Sequence, residues 1–117
     1  MTIGERGEQR AAEFLQRKGF RVLCRNYHTR RGEIDIICAD AQYITFVEVK
    51  TRSNTRFGMP QEAVTRAKQQ KLLLAAQQWL LNHPTSLQPR FDVIEVLVSP
   101  DWQTCRIHHI PNAFEVM

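Results

Sequence analysis

Two short β-rich runs decide the fold of this chain: Glu33-Ile34-Asp35-Ile36-Ile37-Cys38-Ala39 and Tyr43-Ile44-Thr45-Phe46-Val47-Glu48-Val49-Lys50. A short polar connection separates them, and this pattern predicts a β-hairpin. Side chains alternate between the two faces of a strand. Glu48 and Lys50 therefore share a face with Ile44 and Phe46, where charged groups are not expected.

The hairpin register predicts that two carboxylates lie side by side. A loop at Ala41-Gln42, or a slightly longer one, places Asp35 directly opposite Glu48. Opposed residues have Cβ atoms about 5 Å apart, and two carboxylates at that distance repel each other unless a positive charge lies between them. Lys50 and a divalent cation both meet that need. The same register predicts a pair between Glu33 and Lys50.

The acid pair suggests a metal site. Mg²⁺ (or Mn²⁺) prefers oxygen ligands, and the carbonyl of Val49 would add one to those of Asp35 and Glu48. A bound metal makes a water acidic and polarises a phosphoryl oxygen. Lys50 would then steer the water, assist its deprotonation or offset charge that grows on the phosphate. The alternative is an exposed hairpin face with an ordinary Glu–Lys pair.

A first helix begins at a capping box formed by Thr2 and Glu5. It is expected to run to about Lys18 and to end at Gly19. Glu8 borders the apolar stripe of this helix. Either Glu8 simply occupies a favourable position near the positive end of the helix dipole, or it faces the acid pair.

A second helix is predicted from Pro60, a residue favoured at the first helical position, to about Asn82. Lys68 and Lys71 fall inside its apolar arc, so each either extends outward to solvent or meets a buried anion. The residues that define this arc are Val64, Ala67, Leu72, Ala75 and Trp79.

Three further runs complete the pattern as strands: Phe20 to Asn26, Phe91 to Val98 and Thr104 to Ile110. The order of elements is αβββαββ. We expect a single α/β domain over residues 1–117, with a small sheet of about five strands flanked by helices.

Composition excludes several classes of protein. The chain has 117 residues, of which 43% are apolar and 24% charged, which excludes disordered and collagen-like chains. No apolar stretch approaches the roughly 20 residues that a membrane span needs, and no signal-peptide core begins the sequence. Three widely spaced cysteines fit neither a disulfide framework nor a zinc site. We therefore expect a cytoplasmic protein that does not bind membranes.

The charge distribution favours a polyanionic partner. The net charge is +4, but the cations concentrate in two stretches, Arg17 to Arg31 and Lys50 to Lys71, on either side of the hairpin acids. Arg matches phosphate oxygens well. A solvated basic surface is the alternative. The candidate contacts to nucleic-acid phosphates are Arg25, Arg30, Arg31, Arg52, Arg56 and Lys68.

The residues also carry a family resemblance. Gly32-Glu33-Ile34-Asp35 followed by Glu48-Val49-Lys50 resembles the PD-(D/E)xK nuclease motif. A wider pattern resembles the bacterial YraN family, which is regarded as similar to archaeal Holliday junction resolvases. This wider pattern consists of Gly4-Glu5 through Glu8, Gly19-Phe20, Asn26-Tyr27, the hairpin runs from Gly32 to Ile37 and from Phe46 to Arg52, Phe57-Gly58, Lys68, Arg90-Phe91-Asp92-Val93 and Asn112-Ala113-Phe114.

This resemblance implies a restriction-endonuclease-like core with a small mixed sheet. It also implies Mg²⁺-dependent hydrolysis of DNA phosphodiesters, with branched or junction DNA as a candidate substrate. Asp35 and Glu48 match the metal-binding acids, Lys50 the catalytic lysine and Glu8 an acid on the first helix. Ile34 stands where the motif has proline. Cutting both strands of a junction needs two active sites, so a homodimer would suit that substrate.

Two other functions are compatible with the sequence. The fold could serve as a nucleic-acid-binding module that keeps the acidic site without turnover. It could also serve as a protein-interaction scaffold, which would not bind nucleic acid even at low salt.

Overall fold

A computed structural model of the protein describes residues 1–53 and 64–114. Their order confirms the αβββαββ pattern. The elements are α1 (Ile3–Arg17), β1 (Arg21–His28), β2 (Glu33–Ala39), β3 (Tyr43–Arg52), α2 (Arg66–Asn82), β4 (Gln88–Val98) and β5 (Cys105–Ile110).

The five strands form one mixed sheet in the order β1-β2-β3-β4-β5. β1, β2 and β3 pair antiparallel, as do β4 and β5, whereas β3 and β4 are parallel. Parallel neighbours need a long crossover connection, and α2 lies within the connection between β3 and β4. Strand ends differ from the sequence-based prediction by a few residues, most clearly at β4, which begins at Gln88.

The two helices cover opposite faces of this sheet. Each helix closes a separate apolar core, and alternate residues of the central strands contribute to one core or the other. The α1 core includes Ala11, Leu15, Ile36, Val47 and Ile94. The α2 core includes Ile37, Phe46, Leu72, Trp79 and Val93. No helix in these described ranges is long and apolar enough to cross a membrane.

The capping box predicted for α1 is confirmed. The Glu5 amide donates to the Thr2 hydroxyl at 3.0 Å, and the Thr2 amide donates to the Glu5 carboxylate at 3.3 Å. Lys18 caps the other end. Gly19 follows with φ of 99°, a left-handed conformation that glycine adopts without strain.

The predicted start of α2 is wrong. The helix begins at Arg66, because the Thr65 hydroxyl accepts a hydrogen bond from the Lys68 amide and caps the helix there. Val64 is buried but precedes the helix. Pro60, where the helix was expected to begin, lies outside the described residues.

The predicted apolar arc of α2 needs a related correction. Ala67 and Lys71 are exposed, whereas Leu72, Ala75 and Trp79 are buried. The first turn of α2 therefore projects beyond the core, and only the later turns pack on the sheet.

Candidate active site

The predicted acid pair lies where the β2–β3 ladder ends. The last residues to pair are Ile36 and Val47, so Asp35 and Glu48 are next in register, as predicted. The Val49 amide donates a hydrogen bond to Asp35 Oδ2 at 2.8 Å. A buried backbone amide needs a partner, and this bond fixes the orientation of the Asp35 carboxylate.

Two lysines converge on Glu48. Lys50 Nζ and Lys68 Nζ each lie 3.5 Å from Glu48 Oε1. The Glu48 side chain is 5% exposed, whereas those of Lys50 and Lys68 are about one-third exposed, at 30% and 32%. Lys68 comes from α2, so the helix and the strand contribute to one cluster. Of the two predictions for Lys68, contact with a buried anion is the one that the structure shows.

Burial dominates the electrostatics of the acid pair. It raises the pKa of Asp35 and the pKa of Glu48, because a low-dielectric surrounding disfavours the charged form. The charge of Asp35 raises the pKa of Glu48 further, whereas Lys68 and Lys50 act in the opposite direction on both acids. Both carboxylates thus respond to the same two ammonium groups and belong to one site.

Glu8 approaches this pair from the first turns of α1. The helix crosses β3 so closely that a Cβ on Gly7 would lie 1.8 Å from the Thr51 hydroxyl. Burial, followed by the charge of Asp35, raises the pKa of Glu8 to about 7. Glu8 Oε1 is buried and has no hydrogen-bond partner within residues 1–53 and 64–114. The helix-dipole interpretation alone does not account for a buried, unpaired oxygen.

The residues present fit a hard divalent cation. Carboxylate oxygens are its preferred ligands. Burial raises the pKa of Glu8, Asp35 and Glu48, an effect that a bound cation would oppose. In the described part of the chain, no group of three or more His, Cys, Asp or Glu side chains is placed so that it could hold a metal ion, so the acid pair is the candidate. Mg²⁺ commonly keeps several waters and needs only one or two carboxylates. The ligand role of the Val49 carbonyl stays a prediction.

The candidate phosphate contacts divide between the two faces of the sheet. Arg30 and Arg31 lie in the turn between β1 and β2 and line a depression that also contains Lys68 and Lys71. Arg25 is exposed, pairs across the ladder with Ile36 and lowers the pKa of Glu8. It therefore lies on the α1 side of the site.

Arg52 is held by a buried acid that the sequence analysis missed. Its Nε lies 3.5 Å from Oε2 of Glu95, a residue only 1% exposed. Strand alternation could have predicted the burial of Glu95, since Glu95 shares a face of β4 with Val93 and Phe91. A contact of Arg52 with nucleic acid stays a prediction. Arg56 lies outside the described residues.

The predicted pair between Glu33 and Lys50 is wrong. Glu33 Oε2 instead contacts His28 Nδ1 at 3.0 Å, and Lys50 turns toward Glu48. Because Glu48 is buried and Glu33 is exposed, the ammonium gains more from the partner that water does not screen.

Asp92 lies in a buried hydrogen-bond network away from the acid pair. Its fully buried carboxylate accepts two hydrogen bonds from Arg90 at 2.9 Å, one from His109 at 2.7 Å and one from the Asn112 amide at 2.9 Å. Burial alone would raise the pKa of Asp92, but these hydrogen bonds lower it. The network joins β4 to β5 and to the turn that follows.

The fold and the acid–lysine cluster define an α/β domain with a restriction-endonuclease-like core. Residues 7–96 match the model of the family described as "Uncharacterised protein family UPF0102". The chain belongs to that family, which is the one that the YraN resemblance predicted.

The relatives cover nearly the whole chain. A UPF0102 protein of Symbiobacterium thermophilum is 49% identical over 114 residues, covering 96% of this chain and 95% of the relative. One from Caldanaerobacter subterraneus subsp. tengcongensis is 44% identical over 115 residues, covering 97% and 94%. One from Geobacter sulfurreducens is 45% identical over 116 residues, covering 97% and 89%. These names give the family and no reaction.

Proposed function

We propose that this protein is a metal-dependent endonuclease that hydrolyses phosphodiesters in DNA, with branched or junction DNA as a candidate substrate. The observation that carries the proposal is the clustering of Asp35, Glu48, Lys50 and Lys68 at the end of one hairpin, with Glu8 beside them. Buried acids of raised pKa beside a lysine are typical of catalytic sites.

Asp35 and Glu48 would hold Mg²⁺ or Mn²⁺. When bound, the metal supplies an acidic water and polarises a phosphoryl oxygen. Its charge would also favour the ionised forms of both carboxylates, which burial disfavours. Without a metal, only Lys50 and Lys68 favour the ionised forms of these carboxylates, and they offset only part of the effect of burial.

The lysines and Glu8 would act on the substrate. Lys50 is held at 3.5 Å from Glu48, so its ammonium is in place to offset charge that develops on the phosphate. Glu8, with a pKa of about 7, can take up or release a proton near neutral pH, which suits general acid–base work. Arg25, on the Glu8 side, would contact the backbone without reading sequence. A homodimer would suit a junction substrate.

One observation favours a second function, a non-catalytic nucleic-acid-binding module. Two ammonium groups already contact Glu48, so the acidic site is partly neutralised without a metal. Such a site could persist as a structural feature of a domain that binds DNA and does not cut it.

Cleavage of labelled linear, flapped and four-way DNA in Mg²⁺, Mn²⁺ or EDTA tests the proposal. We expect cleavage of at least one substrate only with metal, and a loss of about 100-fold or more in Lys50→Ala, the size typical of an electrostatic catalytic group. Arg17→Ala, which removes an exposed cation from α1, is the control and should cut normally.

Other outcomes would contradict the enzyme. Salt-sensitive binding without cleavage of any of these substrates would favour the binding module. No binding at low salt would reject both nucleic-acid functions and favour the interaction scaffold.

A further inference from the structure

A trough runs between the β1–β2 turn and the outer side of α2. It consists of two adjoining depressions that share Thr29, Arg30 and Arg31. The inner depression, of about 330 Å³, also contains Lys68 and Lys71. The outer one, of about 940 Å³, is lined on its other side by Leu74, Gln77, Gln78 and Leu81. We call the two together the α2 trough.

The α2 trough is preformed by the turn. The Thr29 hydroxyl accepts hydrogen bonds from the amides of Arg31 and Gly32, at 3.2 and 3.0 Å, and the Thr29 amide donates to the Gly32 carbonyl at 2.8 Å. The turn packs tightly on α2, because a Cβ on Gly32 would lie 2.3 Å from the Lys71 carbonyl oxygen. The arginines are thus carried by a turn of defined shape, which reduces the ordering cost of binding.

The inner depression suits phosphate. Four cations line it, and its one lining acid, Glu33, already contacts His28 at 3.0 Å. It leads directly to the candidate active site, since Lys68 lines it and also contacts Glu48 at 3.5 Å. A chain of phosphates that enters the site would therefore continue along Lys71, Arg30 and Arg31.

The outer depression suits unpaired bases. Leu81 is 76% exposed, and Gln77 and Gln78 present exposed amides beside it. Apolar surface accepts the flat faces of bases, and amides can hydrogen-bond to base edges, which are accessible in an unpaired strand. A duplex stacks its bases inside and would offer only phosphates here.

We infer that the α2 trough binds a single-stranded arm of the nucleic-acid substrate, with phosphates on Arg30, Arg31 and Lys71 and bases over Leu81. The inference deepens the proposed function by naming a substrate class: DNA with an unpaired arm, such as a flap or a splayed end. The excess of positive charge favours a nucleic-acid strand over a protein helix as the occupant of the apolar part.

Fluorescence anisotropy in EDTA tests this, with a labelled single strand, the matching duplex and a splayed duplex as probes. We expect Arg31→Glu to weaken binding of the single strand about tenfold. We also expect it to flatten the slope of log K against log salt by about 0.7 for each phosphate that the variant no longer neutralises. Arg17→Glu makes the same charge change on the other side of the sheet and should leave the single-strand preference intact.

The Leu81→Ser variant distinguishes contacts with bases from contacts with phosphates. We expect it to weaken binding of the single strand and the splayed duplex by about fivefold, because it removes apolar surface that a base would cover, and to leave duplex binding unchanged. Ile3→Ser, at an exposed apolar residue of α1, is the matched control and should change nothing.

Three results would overturn the inference. The first is unchanged single-strand binding in both Arg31→Glu and Leu81→Ser. The second is an equal weakening of duplex and single-strand binding by Leu81→Ser. The third is a wild-type dimer, seen by sedimentation, that dissociates in Leu81→Ser while DNA binding is unchanged. Because these measurements contain no metal, they do not depend on cleavage. Wild-type protein that prefers single strands through the trough but never cuts would refute the enzyme alone.

Discussion

Glu48 is nearly excluded from water and still lies within reach of two ammonium groups. Taking these charges out of water costs free energy that their attraction only partly returns, and Asp35 nearby adds repulsion. Apolar side chains would pack at this position at lower cost. The arrangement is therefore easier to understand as preparation for a ligand than as a source of stability.

Glu8 gives a prediction at the scale of a single residue. Its pKa is about 7 in the folded protein against an ordinary value of 4.5, so the native state binds more protons between those values. Stability should therefore fall as pH rises from 4.5 through 7. Without divalent metal, Glu8→Gln should match wild type near pH 4.5 and be more stable at pH 8 by roughly 1 kcal/mol, a value reduced for partial exposure.

Urea unfolding across this pH range, with EDTA present, measures the difference in free energy of unfolding between Glu8→Gln and wild type. Glu13→Gln, at an exposed acid of α1, is the control and should show little pH-dependent difference from wild type. A Glu8→Gln difference that stays constant from pH 4.5 to 8 would show that Glu8 is not held in a charge-disfavouring site.

Single residues were predictable where strand alternation or local chemistry acts alone. The opposed positions of Asp35 and Glu48 follow from the hairpin register, and the Thr2–Glu5 box from spacing. The Glu33–Lys50 pair was wrong because a lysine side chain can choose between neighbours, and burial decides which one. Asp92 draws two of its partners, His109 and Asn112, from β5 and the turn that follows, so these partners could not be predicted from local sequence.

At the scale of elements, the close crossing of α1 and β3 delivers Glu8 to the acid pair. Gly7 makes this crossing possible, because a Cβ there would lie 1.8 Å from Thr51 Oγ1 and 2.9 Å from two other atoms of the Thr51 side chain. We expect Gly7→Ala to lower the free energy of unfolding by about 1–3 kcal/mol, because overpacking pushes the helix from the strand.

Gly4→Ala is the matched control in the same helix. A Cβ on Gly4 meets only Thr2 Oγ1, at 3.9 Å, so alanine should raise stability by about 0.5 kcal/mol through its better helix propensity. Chemical unfolding of both variants measures the contrast. Equal effects of the two substitutions would contradict the close crossing.

The elements themselves were largely predictable, and their pairing was less so. Strand runs and the αβββαββ order follow from local alternation and turn residues. The start of α2 was misplaced because Pro60 is a strong local signal, whereas Thr65 supplies the observed cap. The position of β4 beside β3 depends on a connection across the sheet, which no local pattern specifies.

At the scale of the whole molecule, the net charge of +4 conceals two opposite environments. The acids Glu8, Asp35 and Glu48 make up an acidic region, where burial raises the pKa of each carboxylate. The α2 trough beside it is strongly basic. This juxtaposition is what a phosphodiester and a divalent cation would jointly need. The fold alone does not decide the reaction, so metal binding at the acid pair is the decisive property to measure.

Calorimetric titration with Mn²⁺ tests that point most directly. Wild type and Asp101→Asn, a control at an exposed acid of the β4–β5 turn, should each bind metal at the acid pair. Asp35→Asn and Glu48→Gln should each lose at least about tenfold in affinity. Unchanged Mn²⁺ affinity in both site variants, with their folds intact by circular dichroism, would contradict the metal site and the nuclease proposed from it.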